Sequence, residues 1–122
     1  MLQRTYLKLE TLLKNSPTTE KEQIKFLNVF MHYKAGQWIY PGAIHRVTHI
    51  AIEKVYWILN EAEKEEIVES YFEIICSECN KSVGKVYKKI DDIPDKYVCD
   101  NCGDVNGAIE NAVLIYRMLN DE

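Results

Sequence analysis

Leu2, Tyr6, Leu9 and Leu13 recur at i, i+4, i+7 and i+11, the spacing that lines one face of an α-helix. The polar stretch "NSPTTEKE" ends that stripe. Pro17 cannot continue a helix, and Thr19 with Glu22 three residues later has the form of a capping box opening the next one. That second helix is expected to bury Ile24, Leu27 and Met31, with Phe30 widening the stripe, and to stop at Gly36.

"QWIY", residues 37–40, is short and aromatic and has Pro41–Gly42 behind it, so a brief strand is expected, with Trp38 and Tyr40 in the core. "AIHRVTH" has the length of a two-turn helix. "AIEKVYWILNEAEKEE" forms a longer one with Val55, Leu59 and Ala62 inward. Its outer face would then show Glu53, Lys54, Trp57, Asn60 and Glu61; the alternative is a rotated helix with Trp57 packed inside. "IVESYFEIIC" is β-branched and aromatic, hence a strand. The apolar centre of residues 111–119 fits a strand returning beside it, with a terminal helix as the alternative.

From Thr19 onward the order is helix, strand, helix, helix, strand, insert, strand. Together with "VYWILNEAEKEEIV", which is similar to the end of a recognition helix entering a wing strand, this order resembles the winged-helix family. The resemblance implies an α+β fold: a winged helix-turn-helix at residues 19–122, an extra N-terminal helix at 1–15, and an insertion at the wing. One departure is that the turn before the wing strand reads "EKEE", where the family often has glycine.

The insert holds the chain's four cysteines, Cys76, Cys79, Cys99 and Cys102, as two C-x-x-C pairs separated by residues 80–98. Two such knuckles supply the four thiolates that a tetrahedral zinc ion needs. Gly103 and Lys81 lie just past the pairs, and "GKVYKKIDDIPDKYVC" reads as strand, turn at Pro94, strand. Residues 76–103 resemble a zinc ribbon. One structural Zn²⁺ is the expected cofactor. A redox dithiol is the competing reading, but it uses one pair at a helix start within a βαβ unit. Another metal, such as iron, is the third.

The composition narrows the function. At 122 residues, 47% of them apolar, the chain is long enough for one ordinary core. No apolar run approaches the roughly 18 residues that span a bilayer. The start alternates charge with leucine, unlike a signal peptide, so a soluble cytoplasmic protein is expected. No phosphate loop or nucleophile elbow is present, and the cysteines are committed to metal, so no enzyme is expected. His45 and His49 lack the glutamate of a metalloprotease helix and read as polar surface or caps, and His32 stands alone.

Charge separates the remaining functions. Residues 1–50 sum to +4 and residues 51–122 to −8. Gripping DNA requires Lys and Arg on phosphates, yet residues 51–66 hold five Glu against two Lys. The preferred reading is a protein–protein interaction adaptor or subunit whose partner-binding face is Glu53, Lys54, Trp57 and Glu61, because exposed Trp anchors interfaces. A DNA-binding transcriptional regulator is the alternative. A third reading has Lys14, Lys21, Lys25, Lys34 and Arg46 meeting nucleic acid or an acidic partner, such as a second copy head to tail. The helix at 1–15 either packs on its own domain or forms a homodimer contact.

Overall fold

A computed structural model describes residues 3–119. Its elements run α1 (Gln3–Lys14), α2 (Glu20–Phe30), β1 (Trp38–Ile39), α3 (Pro41–Thr48), α4 (Ile52–Lys64), β2 (Val68–Ile75), β3 (Ser82–Tyr87), β4 (Lys96–Val98), β5 (Val105–Gly107) and β6 (Ala112–Met118), with 3-10 turns at 90–92 and 109–111. One antiparallel sheet has the order β1-β6-β2-β3, and β4 and β5 form a second, two-stranded sheet. The fold is therefore mixed α+β, and residues 112–118 are the returning strand expected for that segment. The chain divides into two compact units, residues up to 69 with 116 onward, and residues 70–115.

The first unit is a helical core closed by short strands. Leu9 and Leu13 of α1, Phe26 and Phe30 of α2, Ile39, Ile44, Tyr116 and the inner face of α4 are all buried. Leu2 lies outside the described residues. The expected inner residues of α4, Val55, Leu59 and Ala62, are fully buried, joined by Ile58. The α1 stripe packs within the chain, against α4 and α2. The capping box forms as read: the Glu22 amide donates to Thr19 Oγ1 at 3.2 Å, and the Thr19 amide donates to Glu22 Oε1 at 2.9 Å.

The expected face of α2 is wrong. Ile24 and Met31 are exposed and Leu27 is half-buried, while Phe26 and Phe30 stack inside at 5.2 Å between ring centroids. Phe26 lies about 200° round the helix from Ile24, and the larger aromatic surface gains more from leaving water. Gly36 does not end the helix either. Met31 is the cap, and Gly36 turns the chain at φ 86° just before β1, where its amide donates to Met118 O at 2.8 Å.

On β1 the core position is Ile39; Tyr40 is exposed and Trp38 half-buried. Strand alternation gives the interior to one residue in two. Trp38 is instead covered by the Arg117 guanidinium, 5.4 Å from its ring centroid, which also donates from Nε to Gly36 O. Pro41 opens α3, and His49 closes it in the left-handed region at φ 62°. His45 Nδ1 bonds Ile50 O at 2.6 Å, so the two histidines serve as turn and cap.

In the "EKEE" turn before β2, Glu66 takes the left-handed conformation itself, at φ 59°. The Ile67 amide then donates to Ala62 O at 2.9 Å, which closes α4 and starts β2. At the other wall of this core the Tyr116 hydroxyl donates to Asn60 Oδ1. Burial, aided by the negative charge of Glu63, pushes its phenol above the ordinary range, so it stays a neutral donor.

Candidate functional site

In residues 70–115 each C-x-x-C pair sits at the turn of its own antiparallel hairpin, the first between β2 and β3, the second between β4 and β5. The two turns are built alike. The Cys76 amide donates to Lys81 O and the Asn80 amide to Cys76 O, each at 2.9 Å; the Cys99 amide donates to Asp104 O at 2.9 Å and the Gly103 amide to Cys99 O at 2.7 Å. Folding back over six residues this tightly forces one left-handed residue in each, Asn80 and Gly103.

These turns bring the four sulfurs within 4.8 Å of one another. Cys76 Sγ lies 3.6 Å from Cys102 Sγ, and Cys79 Sγ lies 3.7 Å from Cys99 Sγ. A disulfide would need about 2.0 Å. Four bonds of about 2.3 Å around one tetrahedral zinc put the sulfurs about 3.8 Å apart. The spacing fits the ion, and the four cysteines are arranged to bind one metal ion.

The electrostatics also call for a cation. Amides of Cys79 and Glu78 donate to the Cys76 sulfur, and with the Cys102 and Tyr97 side chains they hold its thiol down at about 6 against the opposing effect of burial. At Cys102 the Asp104 amide pulls the same way, but burial and the three neighbouring sulfurs outweigh it and push the thiol up to about 12. Cys79 has the Lys81 amide, and it too is raised by burial and by its neighbours Cys99 and Cys76. Sulfurs this close cannot all be anionic without a positive ion among them. All four donors are used in such a cage, so no open coordination position is left for chemistry.

A small apolar core backs the cage. Cys76 and Cys99 are buried with Ile74, Val83, Ile93, Tyr97 and Ala108, while Cys102 is exposed. Tyr97 went unnoticed in the sequence. Its hydroxyl accepts from the Ser77 amide at 3.1 Å and meets Ser77 Oγ at 3.3 Å, while Asn106 Nδ2 donates to that same Oγ at 3.0 Å. The first knuckle is thereby tied to the strands of the second. The only available signal was an aromatic two residues before Cys99, which is too common to single out.

The partner-binding residues expected on α4 have different surroundings. Glu53 is exposed; Lys54 is half-buried and pairs with Glu22 of α2 at 3.5 Å. Trp57 and Glu61 are both half-buried. They line a groove of about 470 Å³ whose other wall is α1, with Arg4, Leu7 and Lys8 facing them. Trp57 is thus neither fully outward nor core. Glu61 also holds Lys64 at 2.7 Å. Lys14, Lys21, Lys25, Lys34 and Arg46 are each exposed, spread over α1, α2, the following turn and α3. Among the described residues no helix is long and apolar enough to cross a membrane.

Residues 51–106, just under half of the chain, match the family model described as ER junction formation factor lunapark, zinc ribbon finger. No curated protein and no solved structure matches the chain. The match begins at α4 and takes in both cysteine pairs, so over that span the chain is similar to a zinc ribbon.

Proposed function

We propose that this is a non-enzymatic, zinc-stabilised module, with the interaction adaptor or subunit role that charge favoured, working in the cytoplasm. Cys76, Cys79, Cys99 and Cys102 hold one structural Zn²⁺. Residues 19–122 form a winged helix, 1–15 its N-terminal extension and 76–103 the ribbon inserted in the wing. The element order and the strand order β1-β6-β2, with β6 returning between the other two, support the winged-helix reading. The matched family is named for a junction formation factor, and a ribbon that serves assembly is in keeping with that name.

The observation that carries the adaptor role is Trp57, half-buried in the groove between α1 and α4 and framed by charged residues. Trp is enriched among the few residues that carry most of the energy of protein contacts. DNA recognition by α4 is disfavoured by Glu53, Glu61 and Glu65, which would meet phosphates with the wrong sign. The exposed Lys21, Lys25 and Arg46 keep a DNA reading open to test. Zinc-loaded protein titrated into random duplex DNA at low salt should give no change in anisotropy. A pull-down should retain proteins that the Trp57→Ala variant loses. Salt-sensitive DNA binding that survives Trp57→Ala would reverse the order of the two readings.

A further inference from the structure

The groove between α1 and α4 carries opposite charge on its two walls. Arg4 and Lys8 stand on α1; Glu61, Lys64 and Glu65 stand on α4, whose wall is acidic on balance. Among the described residues no ion pair bridges the two walls; Glu61 pairs instead with Lys64 of its own helix at 2.7 Å. Leu7 lines the same groove as Trp57 and is 53% exposed, an apolar knob on its α1 wall.

A two-fold axis places the same patch on both subunits, so that residue i meets residue j and j meets i. Applied here, it sets the basic wall of one copy on the acidic wall of the other and brings Leu7 of each toward Trp57 of its partner. We propose that the occupant of this groove is a second copy of the chain, giving an isologous dimer packed through α1 and α4. This rests on the reading of the Trp57 face as a protein-binding surface, and it names the partner. A foreign helix would have to carry the same pairing of a cationic flank, an apolar knob and an anionic flank that this chain already presents. Exposed charges at such a rim also predict a dimer that weakens with salt.

The test is the mass in solution of the full, zinc-loaded chain by light scattering at micromolar concentration. The wild type should give twice the 14.3 kDa chain mass. Arg4→Glu with Lys8→Glu makes both walls acidic, and Glu61→Lys with Glu65→Lys makes both basic; each double variant alone should fall to the single-chain mass. All four positions lie at the surface or half-buried, so the folds should survive. Mixing the two variants should restore the doubled mass as a heterodimer. A wild type of single-chain mass, or double variants that keep the doubled mass, would overturn the dimer. A monomeric wild type that still loses a pulled-down protein on Trp57→Ala would leave the interaction reading standing and remove only the second copy.

Discussion

Asn80 and Gly103 hold the same left-handed turn at the same place in the two knuckles, at φ 60° and 77°. Each donates its amide to the carbonyl of the first cysteine of its pair. A Cβ on Gly103 would meet nothing within 4 Å, so Gly103→Ala is opposed by backbone conformation alone. The expected cost is about 1 kcal/mol. Asn80→Gly, which relieves the same conformation but frees the unfolded chain, should change stability by less. Denaturant melts of the zinc-loaded variants decide it, and a Gly103→Ala midpoint equal to wild type would contradict the turn geometry.

Tyr97→Phe keeps the buried ring and removes the hydroxyl that the Ser77 amide and Oγ reach. Leaving that amide without its partner should destabilise the ribbon by roughly 1–2 kcal/mol. Zinc should also be released more readily, because the tie between the knuckles is loosened. Competition against a chromophoric chelator measures the second effect. Unchanged zinc retention in Tyr97→Phe would confine the residue to packing.

The two faces of α2 should respond very differently to truncation. Phe30→Ala empties a fully buried site and should cost about 3–5 kcal/mol. Ile24→Ala, at 59% exposure, should stay within about 0.5 kcal/mol. Equal losses at the two positions would return the helix to the orientation expected from its spacing.

Glu22 supplies a pH dependence with a definite sign. The Thr19 amide, against some desolvation and with help from Lys54, holds its carboxyl below the ordinary value of 4.5. A folded-state value lowered in this way stabilises the protein above the unfolded-state value, and the contribution is lost as pH falls through the lowered one. The stability gap between wild type and Glu22→Gln should therefore be largest near neutrality and close in acid. A gap that stays constant across that range would show that the carboxylate charge contributes nothing.

Much of this was legible in the chain because the signals are local. Thr19 and Glu22 announce a helix start three residues apart, and C-x-x-C twice over announces a metal cage. The rest depended on contacts distant in sequence. α2 has apolar side chains on two faces, Ile24 and Met31 on one and Phe26 and Phe30 on the other, and only α1 and α3 packing beside it decide between them. β5 reads "VNG", a poor strand former that pairs because the second knuckle sets it beside β4. Tyr97 gains its role from Ser77, twenty residues away. The groove at Trp57 exists because α1, outside the resemblance to a winged helix, packs against α4.

The central claim is that one metal ion on four thiolates holds residues 70–115 together, and native mass spectrometry joined to hydrogen exchange tests it most directly. The account predicts one zinc per chain, absent in Cys76→Ser and Cys99→Ser, with the amides of the two knuckles and of β4 and β5 protected only when metal is present. A metal-free chain whose ribbon amides exchange as slowly as those of the loaded protein would contradict it.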